Sequence, residues 1–276
     1  MPLRACTHLV ALVALVGATG CLVEERCHED RDCPGVKLCN MENGSCYYEC
    51  KVDEDCEGDA FYCEGHTCHL HCDNAELSCP GGMASVCGAF CIDVYEASRP
   101  DATAQSAGSD SSMAVSQPGV IPWHSGNLSV AQAIAACTAA GKRLCTGQEW
   151  EAACAGTDEQ VYVYGNEYDL TTCNGVENWC DPECGIYQWC HMDCPIDNTI
   201  TPTGSFSGCT NEFGIFDMSG NTWEAVSDTD GADHFRGGAH DCGDPALAHR
   251  CDYDGVAAGP FPATRGFRCC ADGDPL

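Results

Sequence analysis

Residues 141–154 read Gly-Lys-Arg-Leu-Cys-Thr-Gly-Gln-Glu-Trp-Glu-Ala-Ala-Cys. Thr146 stands three positions before Glu149, the spacing of a capping box, so a helix is expected over residues 148–154. The same device recurs just upstream. Ser129 precedes Gln132, and VAQAIAACTAA at 130–140 is rich in helix formers until Gly141 stops it. Outside these two helices Gly, Pro, Asn and Asp are frequent and periodic runs are short, which predicts short strands and long loops.

Working outward, cysteine dominates: 27 of 276 residues. At nearly a tenth of the chain, that frequency predicts a disulfide framework and an oxidising compartment. The N-terminus agrees. A basic start at 1–4 and an apolar run from Leu9 to Val16 lead to Ala18, Gly20 and Cys21. We read residues 1–20 as a signal peptide cleaved after Gly20, its apolar run too short to anchor in a bilayer. Ala-Thr-Gly-Cys at 18–21 also resembles a bacterial lipobox, in which Cys21 carries lipid. The expected location is therefore the bacterial cell envelope, outer membrane or periplasm, held by a lipid anchor alone. Plain secretion with Cys21 unmodified is the other reading.

Residues 21–87 are read as cysteine-rich repeats. Cys27, Cys33, Cys39 and Cys46 form the first, and Cys50, Cys56, Cys63 and Cys68 the second. Repeats of this length bury little core, so cross-links must hold them. His66, His69 and His71 suggest zinc, but the cysteines lack paired CxxC spacing and disulfides are the preferred reading. Residues 98–120 are small and polar like a linker. In 173–194, Cys180 and Cys184 are spaced like Cys190 and Cys194, with Trp179, Tyr187 and Trp189 interleaved. That pattern reads as locally bridged hairpins, or as a loop presenting aromatics to a ligand. Forty-two acidic against twelve basic residues give a formal charge of −30. Phosphate backbones and anionic membrane surfaces are thereby excluded as partners. Calcium is compatible with such a balance, and so is a simple role in solubility.

Five segments carry a resemblance. CIDVYEAS (91–98), GKRLCTGQEWEAAC (141–154), NEFGIFDMSGNTWE (211–224), RGGAHDC (236–242) and GFRCC (266–270) resemble, in this order, segments of the formylglycine-generating enzyme (sulfatase-modifying factor) family. The resemblance implies one domain at 88–276 with an α+β fold related to C-type lectins, and makes 98–120 an internal loop. It also implies disulfides Cys137–Cys269 and Cys154–Cys251. Cys145, in place of a family proline, and Cys270 are additions, and a Cys145–Cys270 bridge accounts for both. Each such long-loop bridge contributes roughly 3–5 kcal/mol by restricting the unfolded chain.

By the same resemblance, Asp217, Glu224 and the carbonyls of Gly220 and Thr222 bind calcium. Asn174 and Gly175 belong to a second calcium site, completed by Asp197 and Thr199. The family's enzymes hold copper(I) between two cysteines five residues apart, a geometry suited to soft thiolates. Cys242 takes the first position and is the one candidate catalytic residue, but Leu247 takes the second. Ala239 and Ala225 replace a serine and a tryptophan of the enzymes. Copper is therefore not expected, and a mixed Cys/His site using His234, His240 or His249 is the remaining copper reading. Parity bears on Cys242. With Cys6 removed and Cys21 lipidated, twelve cysteines lie at 27–91 and thirteen at 137–270. One of the thirteen is then unpaired: Cys242, or one of Cys173, Cys180, Cys184, Cys190, Cys194 and Cys209. The expected function is a non-catalytic domain serving binding or structure at the cell surface, with a protein or carbohydrate ligand. The alternative is a formylglycine-generating or related metal-dependent oxidase acting on protein cysteine.

Overall fold

A computed structural model describes residues 38–40, 45–47, 50–56, 58–72, 76–175, 199–227, 233–241, 245–256 and 264–275. β1 (Leu38–Asn40) and β2 (Ser45–Tyr47) make an antiparallel hairpin, as do β3 (Phe61–Glu64) and β4 (Thr67–Leu70). β5 (Leu77–Ser78) pairs with the last strand, β16 (Asp274–Pro275). β6 (Met83–Val86) and β7 (Phe90–Asp93) form one side of a four-stranded antiparallel sheet. β10 (Arg143–Leu144) and β15 (Cys269–Ala271) complete it, in the order β10-β15-β7-β6. β8 (Ala97–Ser98) pairs with β9 (Val115–Ser116). The second four-stranded sheet contains β11 (Trp223–Val226), β12 (His234–Arg236), β13 (Gly255–Val256) and β14 (Arg265–Phe267). Its order is β13-β12-β11-β14, with β11 and β14 parallel.

Both expected helices start on their capping boxes. Ser129 Oγ accepts the Gln132 N–H at the head of α1 (Val130–Ala139), and Gln132 accepts the Ser129 N–H in return. Thr146 and Glu149 do the same for α2 (Gly147–Ala155). Each box satisfies two amides that the first helical turn leaves without partners. α1 buries Ala133, Ala136 and Cys137 in a core with Phe235, Phe267 and Leu144. α2 buries Trp150, Ala153 and Cys154 in a second core with Ile92, Ile215 and Met218. A short α3 (Pro245–Ala248) closes the set of described helices.

Side chains along a strand alternate between faces, and that alternation sorts the adjacent cysteines of β15. Cys269 faces the α1 core and bonds Cys137, while Cys270 faces the α2 core and bonds Cys145. Cys154 bonds Cys251. Cys173 bonds Cys209, which removes both from the candidates for an unpaired thiol.

The boundary at 87/88 falls inside the β6–β7 hairpin, and Cys72–Cys87 and Cys79–Cys91 tie its ends to the chain before it. In the second repeat, Cys50 bonds Cys63 and Cys56 bonds Cys68. The sulfurs of Cys50, Cys56 and Cys68 lie within 4.8 Å of one another, yet all are spent in disulfides and offer no thiolate to zinc. The neighbouring histidines have other work. His66 meets the Cys50 carbonyl, His69 meets Glu159 at 2.5 Å, and His71 stacks on Tyr62. Within 98–120, residues 99–114 form an internal loop between β8 and β9. Asp101 folds it inward by accepting the N–H groups of Ser109 and Asp110.

Candidate functional site

The segment 211–224 turns twice before entering β11. Asp217 and Asn221 both adopt φ of 61°, the left-handed region that Asp and Asn tolerate best. Between them Gly220 sits at φ 87°, and a Cβ there would lie 2.5 Å from the Asn174 carbonyl oxygen. Only glycine lets this turn press against the 174 segment. The contact is then sealed by polar groups. Asn221 N–H donates to the Asn174 carbonyl, and the Asn174 amide donates to Asn221 Oδ1 at 2.8 Å. Thr201 N–H donates to the same Asn221 oxygen. The structure thus brings together the two stretches expected to bind calcium.

Beneath this turn lies a fully buried charge cluster. Arg268 donates two 2.5 Å bonds to the Glu224 carboxylate, and Trp150 Nε1 donates a third at 2.6 Å. The remaining Arg268 bonds reach the carbonyls of Asp93 and Phe216. Glu96 accepts from Asn221 Nδ2 and Thr222 Oγ1, and Asp217 accepts the Gly204 N–H at 2.6 Å. Burial, then the nearby Asp217 and Glu224, push the Glu96 carboxyl well above its ordinary range. Burial raises Asp217 to about 7, against the pull of the Gly204 N–H and of Arg268. Burial opposes the Arg268 charge, yet Glu224, with Glu96 and Asp217 beside it, outweighs burial and holds the guanidinium above its usual value. Three buried carboxyl groups therefore share one guanidinium.

That surplus of carboxyl groups over cations is what would suit a divalent cation, whose charge would favour their ionised forms. Asp217 offers the hard oxygens such an ion takes, with one backbone N–H, from Gly204, already on its carboxylate. Glu224 fits less well, because three of its roughly four acceptor positions are taken by Arg268 and Trp150. Among the described residues, no three carboxylates come within 4.8 Å of one another, so at most two would serve one ion. In the second expected site, the Asn174 amide holds Thr199 and Thr201, Gly175 donates its N–H to the Cys173 carbonyl, and Asp197 lies outside the described residues.

Sequence reading missed Glu96, Trp150, Asn221 and Arg268 as members of this cluster. All four lie inside the quoted motifs, but their partners are 20 to 175 positions away and no local spacing signals them.

The other candidate centre follows β12. Cys242 lies outside the described residues, as do Cys21 and the aromatic stretch at 179–189, while Asp241 and Pro245 flank Cys242. Leu247 stands on α3, with an aliphatic side chain that ligates nothing. Ala239 and Ala225 are both buried in the α1 core beside Phe235 and Phe267, so neither position offers a polar or aromatic group. The three histidines meet different partners. His234 Nδ1 meets Asp254 at 2.8 Å, His240 Nε2 meets Thr264 Oγ1, and His249 Nε2 meets the Ala239 carbonyl. Among the described residues, which do not include Cys242, no histidine belongs to a metal-ligand grouping. Burial drives the His249 imidazole down to about 4, so it is neutral at pH 7.

Residues 93–273 match the family model described as "Sulfatase-modifying factor enzyme 1-like domain". The chain is 33% identical over 147 residues to a formylglycine-generating enzyme of Thermomonospora curvata, covering 50% of this chain and 42% of that protein. It is 27% identical over 168 residues to the formylglycine-generating enzyme of Mus musculus, covering 51% of this chain and 42% of that protein. The chain thus spans less than half the length of these curated relatives. Among solved structures it is similar to PvdO from Pseudomonas aeruginosa, with 18% identity and a TM-score of 0.41 over 68% of this chain and 82% of that one. It is also similar to the Major Tropism Determinant I1 variant, with 17% identity and a TM-score of 0.44 over 73% of this chain and 55% of that one.

Proposed function

The chain belongs to the sulfatase-modifying factor enzyme 1-like family, and on that premise we propose that it is a cell-envelope lipoprotein whose domain binds a ligand without oxidase chemistry. The observation that carries this reading is the side-chain chemistry around Cys242. A copper(I) site built on two thiolates loses half its ligands when the second position is Leu247. Buried Ala239 and Ala225 restore nothing, since each packs as core. We therefore expect no aldehyde on a CxPxR-containing peptide supplied with copper and reductant. Aldehyde formation by the natural protein, abolished in Cys242→Ser, would overturn the reading.

Calcium is part of the same proposal. Asp217, the remaining acceptor edge of Glu224 and the carbonyls of Gly220 and Thr222 would hold the ion. Bound there, it would neutralise the carboxyl surplus and lock the turn against Asn174. The test is a thermal melt with and without chelator: a chelator-induced drop that vanishes in Asp217→Ala supports the ion, and a melt indifferent to chelator removes it. The lipid anchor rests on Ala-Thr-Gly-Cys at 18–21. Cys21→Ser should move the protein from the membrane to the soluble fraction, and unchanged partitioning would refute lipidation.

A further inference from the structure

In a chain with 42 acidic and 12 basic residues, cations are scarce and most described ones are matched. Lys142 pairs with Asp93, Arg143 with Glu149, Arg236 with Glu151, Arg250 with Asp252 and Arg268 with Glu224. Arg265 is different. Half-buried at the start of β14, its guanidinium makes no ion pair and no hydrogen bond among the described residues. It lies instead 4.8 Å over the ring of Phe235. Its cross-strand neighbour is Trp223, whose ring lies 6.1 Å from that of Tyr253. Two residues along β14, Phe267 meets Trp123 edge-on, and Arg99 covers Trp123 at 4.6 Å, also without an ion pair among the described residues. Thr264 fastens this rim to the segment entering Cys242, accepting the Trp223 N–H and meeting His240.

From this arrangement we infer that Arg265 is a binding site for a single carboxylate attached to an apolar or aromatic group. The guanidinium lies over Phe235 with its donors unspent among the described residues, and its planar fork matches a carboxylate bidentately. The half-buried ring of Tyr253, packed beside the buried Trp223, supplies apolar surface for whatever carries the carboxylate. A polyanion is the wrong ligand, because the −30 chain repels it over its whole length. A single carboxylate is not, because at physiological salt charges beyond about 8 Å are screened and the local guanidinium dominates. The inference stands on Arg265 and its aromatic neighbours, and needs neither calcium nor the loss of oxidase chemistry.

The test uses the full mature chain and three probes followed by calorimetry. N-acetylphenylalanine carries a free terminal carboxylate, N-acetylphenylalaninamide is its neutral counterpart, and acetyl-Phe-Asp-amide carries the carboxylate on a side chain. Either acid should bind saturably, at least tenfold tighter than the neutral amide, and binding should weaken as salt is raised. The tighter acid identifies whether a chain end or an acidic side chain is the natural source. Arg265→Ala should lose tenfold or more, and Arg265→Lys should retain charge-dependent binding while losing part of the affinity. Equal binding of acids and amide, or an Arg265→Ala protein that binds like the parent, would overturn the site. The comparison of acids with amide uses the unaltered protein, so it decides even if a variant fails to fold.

Discussion

The second cysteine repeat and the domain behind it solve the same problem by different means. In residues 50–72 two disulfides close loops of 13 and 12 residues around one hairpin, and few side chains besides Phe61 are buried. In the domain, three bridges span 97 to 132 residues and a fourth spans 36, joining elements that already pack on two cores and a buried charge cluster. Covalent closure replaces a core where the chain is too short to build one. Where a core exists, closure chiefly limits the unfolded chain.

The sharpest way to break that comparison is to remove one bridge of each kind. Cys137→Ala with Cys269→Ala opens the longest loop, and denaturant unfolding should show the domain weakened by about 5 kcal/mol. Cys56→Ala with Cys68→Ala should cost the repeat roughly 3 kcal/mol. That second loss should appear as proteolysis confined to 50–72, with little change in the domain's melt. If the domain melts earlier by the same amount, the repeat and the domain are one cooperative unit. Phe61, Cys50 and Cys56 share a core cluster with Trp150, so the outcome measures how strong that contact is.

Arg268 probes the domain's own cement. Arg268→Ala strands Glu224 beside Glu96 and Asp217 with no cation, and should destabilise the domain by about 3–5 kcal/mol. Adding Glu224→Gln should return part of that loss, because the double variant no longer buries an unpaired charge. Additive effects of the two changes would show that the pair does not couple. No equivalent variant exists in the described part of the repeat, whose one ion pair to the domain joins half-buried His69 to exposed Glu159.

The smallest effect comes from protons. Burial holds folded His249 near 4, below the ordinary 6.5, so between these values the unfolded chain binds more protons than the folded one. Stability from this group is therefore present above pH 6.5 and lost as pH falls towards 4, by about 3 kcal/mol at most. His249→Gln, measured across the same range, should flatten that slope. An unchanged acid profile would mean the ring is hydrated or paired in the folded protein.

What the sequence determined alone is what depends on near neighbours. The capping boxes at Ser129–Gln132 and Thr146–Glu149 each operate within one helical turn, so their spacing suffices to start α1 and α2 where they start. The cysteine frequency and the five motifs, in order, were enough to name the family and its α+β class. Tertiary structure decided the rest. Nothing local says that adjacent Cys269 and Cys270 face different cores, since that follows from strand alternation within a particular sheet. Nor does local sequence place Arg268 on Glu224 while Arg265, three residues earlier, is left on Phe235 without a carboxylate. A charge finds its partner through the pairing of β11 with β14 and their burial, and those exist only once distant segments have packed.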